Sequence, residues 1–324
     1  MGYSLQSKEQ KKDILSIYVD EKGKPYKTAG KIDYVAGWYF KAAQFMQGTT
    51  IRTAFVSTNS ITQGEQVAGV WKPLYDHFGI HIDFAHRTFR WDSEANMKAH
   101  VHCVIVGFSI APNPAKRRIY VDGRIKETNN INAYLVDADN VFIGARTQPV
   151  SNVPILQNGG KPTEGGNLIL TESEKQDLLE KEPLAEQFIR PYMMGKDFIL
   201  RKPRYCLWMS GSNPAEIRKC PLVCKRIDNV RQYRLASPKA ATRKKAETPM
   251  LFDEVRECHT AYVAIPKVSS ENRRYIPMEY LSPEIIPGDK LFMMQGATLY
   301  ELGVLTSNIH MAWMRAVCGR LEMR

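Results

Sequence analysis

Residues 32–46 read IDYVAGWYFKAAQFM, and residues 51–58 read IRTAFVST. In the first stretch the apolar residues recur at helical spacing, which predicts an amphipathic helix that ends at Gly48, where glycine can adopt the left-handed cap conformation. The second stretch is rich in β-branched and apolar residues, as is typical of a buried strand. A helix followed by a buried strand favours an α/β fold.

The same alternation continues to about residue 108. Residues 64–78 predict a second helix that ends at Gly79, and residues 80–89 and 99–108 predict two strands joined by the polar stretch 90–98. Together these elements correspond to half of an open α/β sheet that ends in a hairpin. We therefore predict a first domain at residues 1–110.

The sequence changes character after this point. Residues 111–118, APNPAKRR, are rich in proline and charge and indicate a domain boundary. Residues 111–282 show short strands, turn signals and a helix at 171–188, which begins with a capping box from Thr171 and Glu174. We predict a mixed α+β domain there, followed by a helical segment at residues 283–324.

Composition sets the class of the protein. With 324 residues and 44% hydrophobic content, the chain is long and apolar enough for two globular domains. It has no apolar run of roughly 20 residues and no apolar core of a signal peptide near Met1, so a cytoplasmic location without membrane contact is expected. The six cysteines are expected to be reduced thiols.

Positive charge is concentrated in one stretch. Residues 201–245 hold thirteen basic and two acidic residues, a net charge of +11, which equals that of the whole chain. A localised cationic stretch is typical of proteins that neutralise nucleic-acid phosphates. A solvated helix face or a disordered arm is the alternative. Apolar residues such as Val223, Ile227 and Val230 are interleaved with the charges, which favours a folded surface.

Motifs for metal or cofactor chemistry are incomplete. His100 and His102 lie at strand spacing and could share a metal, but Cys220, Cys224 and the Cys258-His259 pair do not complete a set of ligands at a recognisable spacing. We therefore favour hydrogen-bonded strand histidines and predict no metal site. The sequence also has no GxSxG, HExxH or GxxxxGK[ST] motif, so neither covalent hydrolysis nor a phosphate loop is supported.

Two aromatic residues stand at a predicted strand end. Phe89 and Trp91 follow His86 and flank Arg90, just before the polar stretch. An aromatic side chain at a sheet edge can stack on a nucleobase that has left the duplex. Because Phe89 and Trp91 alternate with Arg90, they could equally be two core residues on one strand face.

Several blocks of the sequence resemble a known family. DYVAGWYFKAAQFM, IRTAFVSTNSITQGEQ and IDFAHRTFRWDSEANMKAHVHCVIVGF are similar to the second half of the catalytic domain of MmeI-like DNA adenine methyltransferases. RYCLWM, KRIDNVRQYRLASPKAATRK, IPKVSSENRRYIP and the C-terminal LYELGVLTSNIHMAWMRAVCGRLEMR are similar to the family's target recognition domain and C-terminal part. The resemblance implies a partial Rossmann-like methyltransferase sheet followed by a mixed α+β recognition domain.

The resemblance also implies partners and roles. It implies double-stranded DNA as partner, S-adenosylmethionine as cofactor of the complete enzyme, and methylation of the adenine amino group within a restriction-modification system. Phe89, with Trp91 as the alternative, would stack on the flipped adenine, and Glu271 and Arg273 would contact base edges, unless they form an internal salt bridge. The residues expected at the DNA are Arg204, Lys225, Arg226, Arg231, Arg234, Ser237, Lys239, Arg243, Lys244, Glu271, Arg273 and Arg274.

The sequence departs from the family pattern in one respect. The glycine-rich S-adenosylmethionine loop and the Asn-Pro-Pro-Tyr/Phe motif are absent, and Asn113-Pro114 and Asn213-Pro214 are both followed by alanine. We therefore expect a fragment that binds DNA, lacks its N-terminal catalytic half and does not methylate on its own. The alternatives are a separate nucleic-acid-binding protein without catalysis, and a metal-dependent nuclease that uses His100 and His102.

Overall fold

The computed structural model describes residues 2–92, 100–270 and 272–319. The chain forms two compact units. The first unit consists of Met1–Thr147 together with Ala312–Arg324, and the second unit consists of Gln148–Met311. Ten helices are assigned within the described residues: α1 Lys8–Ile17, α2 Ala36–Phe45, α3 Gly64–Phe78, α4 Glu172–Lys181, α5 Gly195–Leu200, α6 Pro214–Arg218, α7 Pro221–Leu235, α8 Ala240–Lys244, α9 Leu299–Leu305 and α10 Asn308–Val317. None of these helices is long and apolar enough to cross a membrane.

The first unit contains a five-stranded sheet. Its strands are β1 Arg52–Thr58, β2 His81–Asp92, β3 His100–Ser109, β4 Arg117–Val121 and β5 Arg124–Thr128. Their order is β1-β3-β2-β4-β5, with β3 antiparallel to both of its neighbours and β4 parallel to β2. The predicted pairing of the two strands at 80–89 and 99–108 is confirmed, but β2 continues to Asp92. The sheet also continues past the boundary predicted at residue 111, because β4 and β5 belong to it.

Helices α2 and α3 supply the core of the first unit. Tyr39 and Trp71 are fully buried, and the Tyr39 ring stacks on Phe108 of β3 with ring centroids 5.5 Å apart. Val104 and Val106 belong to the same core, so alternate residues of β3 face the helices. The predicted helix 64–78 is confirmed, with Gly79 in the left-handed conformation at φ 65°. The helix predicted at 32–46 is shorter, Ala36–Phe45.

The second unit contains two small sheets. Its strands are β6 Leu156–Asn158, β7 Ile169–Leu170, β8 Ile189–Met193, β9 Arg204–Leu207, β10 Tyr262–Pro266, β11 Glu279–Leu281, β12 Ile286–Pro287 and β13 Leu291–Gln295. One sheet has the order β11-β10-β13-β6 and the other has the order β12-β8-β9-β7. Helices and short strands alternate along this unit, in agreement with the mixed pattern predicted from the sequence.

The helix predicted at 171–188 is confirmed in its first part only. Its capping box forms, because the Thr171 hydroxyl accepts a hydrogen bond from the Glu174 backbone N–H (3.2 Å) and the Glu174 carboxylate accepts one from the Thr171 backbone N–H (2.9 Å). The helix ends at Lys181 and a 3-10 turn, Pro183–Phe188, follows. Proline lacks the N–H that would continue the helix, which explains the break.

Candidate nucleic-acid interface

The basic stretch 201–245 folds into strand β9 and helices α6, α7 and α8. Val223, Ile227 and Val230 of α7 recur at helical spacing and are buried in the core of the second unit. The alternative of a disordered arm is therefore wrong for this stretch. Its cations fall into two groups, those that bind the protein itself and those that remain at the surface.

Arg234 belongs to the first group. Its side chain is fully buried, with 0% exposure, so the DNA contact predicted for it is wrong. The guanidinium instead donates hydrogen bonds of 2.7–3.0 Å to five backbone carbonyl oxygens, those of Pro162, Thr163, Lys245, Thr248 and Leu251. Burial lowers the pKa of this guanidinium. Arg234 therefore fastens α7 to two loops of the second unit.

Arg226 and Arg204 also bind within the protein. Arg226 donates to the Asn167 carbonyl oxygen (3.0 Å) and pairs with the Glu174 carboxylate (3.3 Å). Arg204 pairs with the Asp197 carboxylate at 2.8 Å. Both side chains are partly exposed, and the DNA contacts predicted for them stay predictions.

The second group forms the cationic surface, which we define as Lys225, Arg231, Lys239, Arg243 and Lys244. All five are exposed. Arg243 donates to the carbonyl oxygens of Ser237 and Pro238 at 2.9 Å, and the Ser237 hydroxyl accepts the Lys239 backbone N–H at 3.3 Å. Within the described ranges, the side chains of the other four form no ion pair or hydrogen bond. The cationic surface thus carries positive charge that no described carboxylate neutralises.

A second predicted contact region lies before β11. Arg273 and Arg274 are exposed, and the Arg274 guanidinium lies over the Tyr275 ring, 5.4 Å from its centroid. The Tyr275 hydroxyl donates to the Asn308 side-chain oxygen at 2.8 Å, which connects this segment to α10. Glu271, the predicted partner of Arg273 at a base edge, lies outside the described residues.

Phe89 and Trp91 lie at the carboxyl end of β2 in the first unit. Their ring centroids are 6.2 Å apart and their planes are tilted by 46°. Phe89 is half-buried, Trp91 is 52% exposed, and neither belongs to the core cluster. Phe89 pairs with Cys103, which alternates with the core residues of β3, so the two aromatics lie on the sheet face opposite α2 and α3. Their interpretation as core residues is therefore wrong.

Sequence reasoning missed a polar network at the same edge of the sheet. The Asp33 carboxylate accepts hydrogen bonds from the Ser60 hydroxyl (2.5 Å) and the Tyr3 backbone N–H (3.1 Å), and Ser60 also contacts the Thr58 hydroxyl (3.0 Å). Asp33 is buried, and the network joins three segments of the first unit at the carboxyl end of β1. The available signal was the polar run Thr58-Asn59-Ser60 at the end of β1. The burial predicted for this strand is wrong, because β1 lies at the edge of the sheet and only its Ser57 is buried.

Among the residues that the structure describes, those considered for a metal do not form a set of ligands. Cys258 is buried, with its thiol 3.4 Å from the Met293 sulfur, and burial raises its pKa to about 11. His259 is exposed, His102 is half-buried, and the side chain of His100 lies outside the described part of the structure. Across the residues that the structure describes, no three His, Cys, Asp or Glu side chains form a group that could hold a metal ion.

Comparison with known families gives two matches that together cover most of the chain. The model of the MmeI DNA-methyltransferase domain matches residues 1–121, and that of the MmeI target recognition domain matches residues 137–324. The chain belongs to the MmeI family. The resemblance inferred from the sequence blocks is thereby confirmed.

This MmeI-family chain is similar to a curated protein and to a solved structure. It is 37% identical over 322 residues to DNA methyltransferase A of Bacillus subtilis (strain 168), covering 99% of this chain and 36% of that protein. The chain is also similar to a solved structure of the type IIL restriction-modification enzyme MmeI in complex with DNA, with 41% sequence identity and a TM-score of 0.91. This match covers 100% of the present chain and 43% of the MmeI chain. The chain thus spans less than half the length of these relatives.

Proposed function

We propose that this MmeI-family chain is the target-base-binding and DNA-recognition part of an S-adenosylmethionine-dependent N6-adenine DNA methyltransferase of a restriction-modification system. The observation that carries the proposal is the aromatic pair of half-buried Phe89 and exposed Trp91 at the carboxyl end of β2. Ligands of open α/β sheets bind outside the carboxyl ends of the strands. Enzymes that modify bases hold the extruded base against aromatic side chains.

The cationic surface supports the proposed binding of DNA. Its lysines and arginines would neutralise phosphates and hold the duplex in register without reading sequence. Sequence would be read by side chains that reach base edges, for which we propose Arg273, Arg274 and Glu271. Arginine can donate two parallel hydrogen bonds to guanine, and glutamate can accept one from cytosine.

The residues of this chain lack the family's cofactor-binding motifs. The 324 residues contain neither a glycine-rich loop after a strand nor an Asn-Pro-Pro-Tyr/Phe motif. We therefore assign binding of S-adenosylmethionine, and the groups that align the lone pair of the adenine amine with the methyl group, to sequence outside these residues. We propose that the first unit is a Rossmann-like half-sheet and that its role is to receive the target base.

Two measurements on the purified chain test the proposal. Fluorescence anisotropy with a labelled duplex should show binding that weakens at least about a hundredfold between about 50 and 200 mM salt, because several phosphate contacts release counterions. The chain mixed with radiolabelled S-adenosylmethionine and the same duplex should transfer no methyl group. Salt-independent binding would contradict the DNA-recognition role, and turnover would contradict the assignment of the cofactor site.

A further inference from the structure

A short turn lies beside the aromatic pair at the edge of the five-stranded sheet. The 3-10 turn Asn59–Thr62 follows β1 directly. Thr58 and Phe89 each pair with Cys103, which lies on the strand between them. Residues paired in this way share one face of the sheet, and two strand spacings separate them by about 10 Å. The turn therefore begins one residue beyond the row that contains Phe89.

The turn is held rigidly by its neighbours. The Ser60 hydroxyl donates to the buried Asp33 carboxylate (2.5 Å), and the Thr62 hydroxyl donates to the Asn59 carbonyl oxygen (2.9 Å). The Trp71 indole N–H donates to the Ile61 carbonyl oxygen (2.8 Å), and both of these side chains are fully buried. These bonds fix the backbone of the turn, and therefore the position from which each of its polar side chains extends.

Asn59 is the third polar residue of this turn. Ser60 and Thr62 use their hydroxyls in the bonds just described, and Ile61 lies in the core. Asn59 is partly exposed, and its amide forms no hydrogen bond with any residue in the described ranges. An amide without a partner among the described residues, on a turn that begins about 10 Å across the sheet from Phe89, is suited to a planar polar ligand.

We infer that Asn59 reads the amine-bearing edge of the adenine whose ring stacks on Phe89. Stacking alone accepts any base, because every base has a π-face. An asparagine amide offers an acceptor beside a donor, which complements the adenine amine and the adjacent ring nitrogen. Phe89 then binds the ring and Asn59 selects its identity. The inference rests on the proposed target-base site and adds the residue that gives it specificity for adenine.

The test uses duplexes in which one base lies opposite an abasic site, since an unpaired base leaves the stack at low cost. One duplex carries adenine at that position and the other carries unsubstituted purine, which stacks but lacks the amine. We expect the wild-type chain to bind the adenine duplex about tenfold more tightly. Asn59→Ala should bring the ratio of the two Kd values near one and leave the Kd of the purine duplex unchanged. Gln44→Ala, which removes an exposed amide on α2, should leave both Kd values unchanged.

Phe89→Ala separates the inference from the proposed function. If Phe89→Ala weakens binding of both duplexes equally, the stacking site is supported, whatever the Asn59 variant does. A preserved adenine preference in Asn59→Ala, or no adenine preference in the wild-type chain, would then overturn the inference alone. If the wild-type chain binds fully paired and abasic duplexes equally and Phe89→Ala changes nothing, the target-base site itself is wrong.

Discussion

Arg234 donates a 2.7 Å hydrogen bond to the backbone carbonyl oxygen of Leu251, in the loop that follows the basic helices. The same guanidinium also bonds to the Lys245 and Thr248 carbonyl oxygens, so it holds the chain just after α8 against α7. α8 carries Arg243 and Lys244 of the cationic surface. One arginine of the basic stretch therefore supports the fold while its neighbours remain available to a ligand.

Replacing Arg234 should destabilise the second unit strongly. Arg234→Met removes the donors from five backbone carbonyl oxygens, and an acceptor that becomes buried without a partner costs roughly 1 to 3 kcal/mol. We expect the free energy of unfolding, measured with urea, to fall by at least about 3 kcal/mol. Arg231→Met, three residues earlier at an exposed position, should change it by less than about 0.5 kcal/mol. Equal effects of the two substitutions would contradict the assigned role of Arg234.

Neutralising the cationic surface should weaken DNA binding without regard to sequence. Each of Lys225→Gln, Lys239→Gln and Lys244→Gln should reduce the slope of log K against log salt by about one, because each removes one phosphate contact. Titration of a labelled duplex at several salt concentrations measures this slope. Lys11→Gln on α1 makes the same charge change at an exposed site outside the basic stretch. An equal reduction of this slope in Lys11→Gln would show that the net charge of the chain, and not the cationic surface, controls binding.

Asp83 should make the first unit sensitive to acid. Burial alone raises the pKa of the Asp83 carboxyl, but hydrogen bonds from His81, Ser109 and Asn113 outweigh it and hold the pKa below its ordinary value of 3.8. A carboxyl with a lowered folded-state pKa stabilises the fold above its unfolded pKa and loses this contribution as the pH falls through the folded value. The stability difference between wild type and Asp83→Asn should be constant above about pH 5 and shrink below pH 3.8. Thermal unfolding of both proteins across this pH range measures the stability difference. A difference that grows towards low pH would contradict the prediction.

Much of the first unit was predictable because its signals are local. The apolar period and Gly79 together locate α3, and the β-branched run locates β1 to within one residue. Local signals do not give strand order. β3 lies between β1 and β2 because of long-range pairing, such as Cys103 with both Thr58 and Phe89, which no short sequence window contains. The polar network around Asp33 was missed for the same reason, because it joins residues that are 27 and 30 positions apart in the chain.

The functional residues of the second unit show a different limit. Charge density located the basic stretch, and the interleaved apolar residues indicated correctly that it folds. Charge alone does not separate Arg234 from Arg231, although the two lie three residues apart on α7. Arg234 follows Val223, Ile227 and Val230 at helical spacing, on the buried side of α7, whereas Arg231 lies on an exposed flank. The position of each arginine in the helical repeat was therefore the available signal. The total charge of the stretch does not contain this information.

Arg273 and the cationic surface should affect different aspects of DNA binding. A side chain that reaches a base edge discriminates by roughly 1 to 3 kcal/mol at one position, whereas a phosphate contact strengthens binding to every sequence. Selection from a pool of randomised duplexes should therefore give a consensus for the wild-type chain that loses one position in Arg273→Ala. The same selection with Lys225→Gln should return the full consensus at lower overall affinity. If Arg273→Ala keeps every position and only weakens binding, Arg273 contacts the DNA backbone, and base reading must lie elsewhere in the recognition domain.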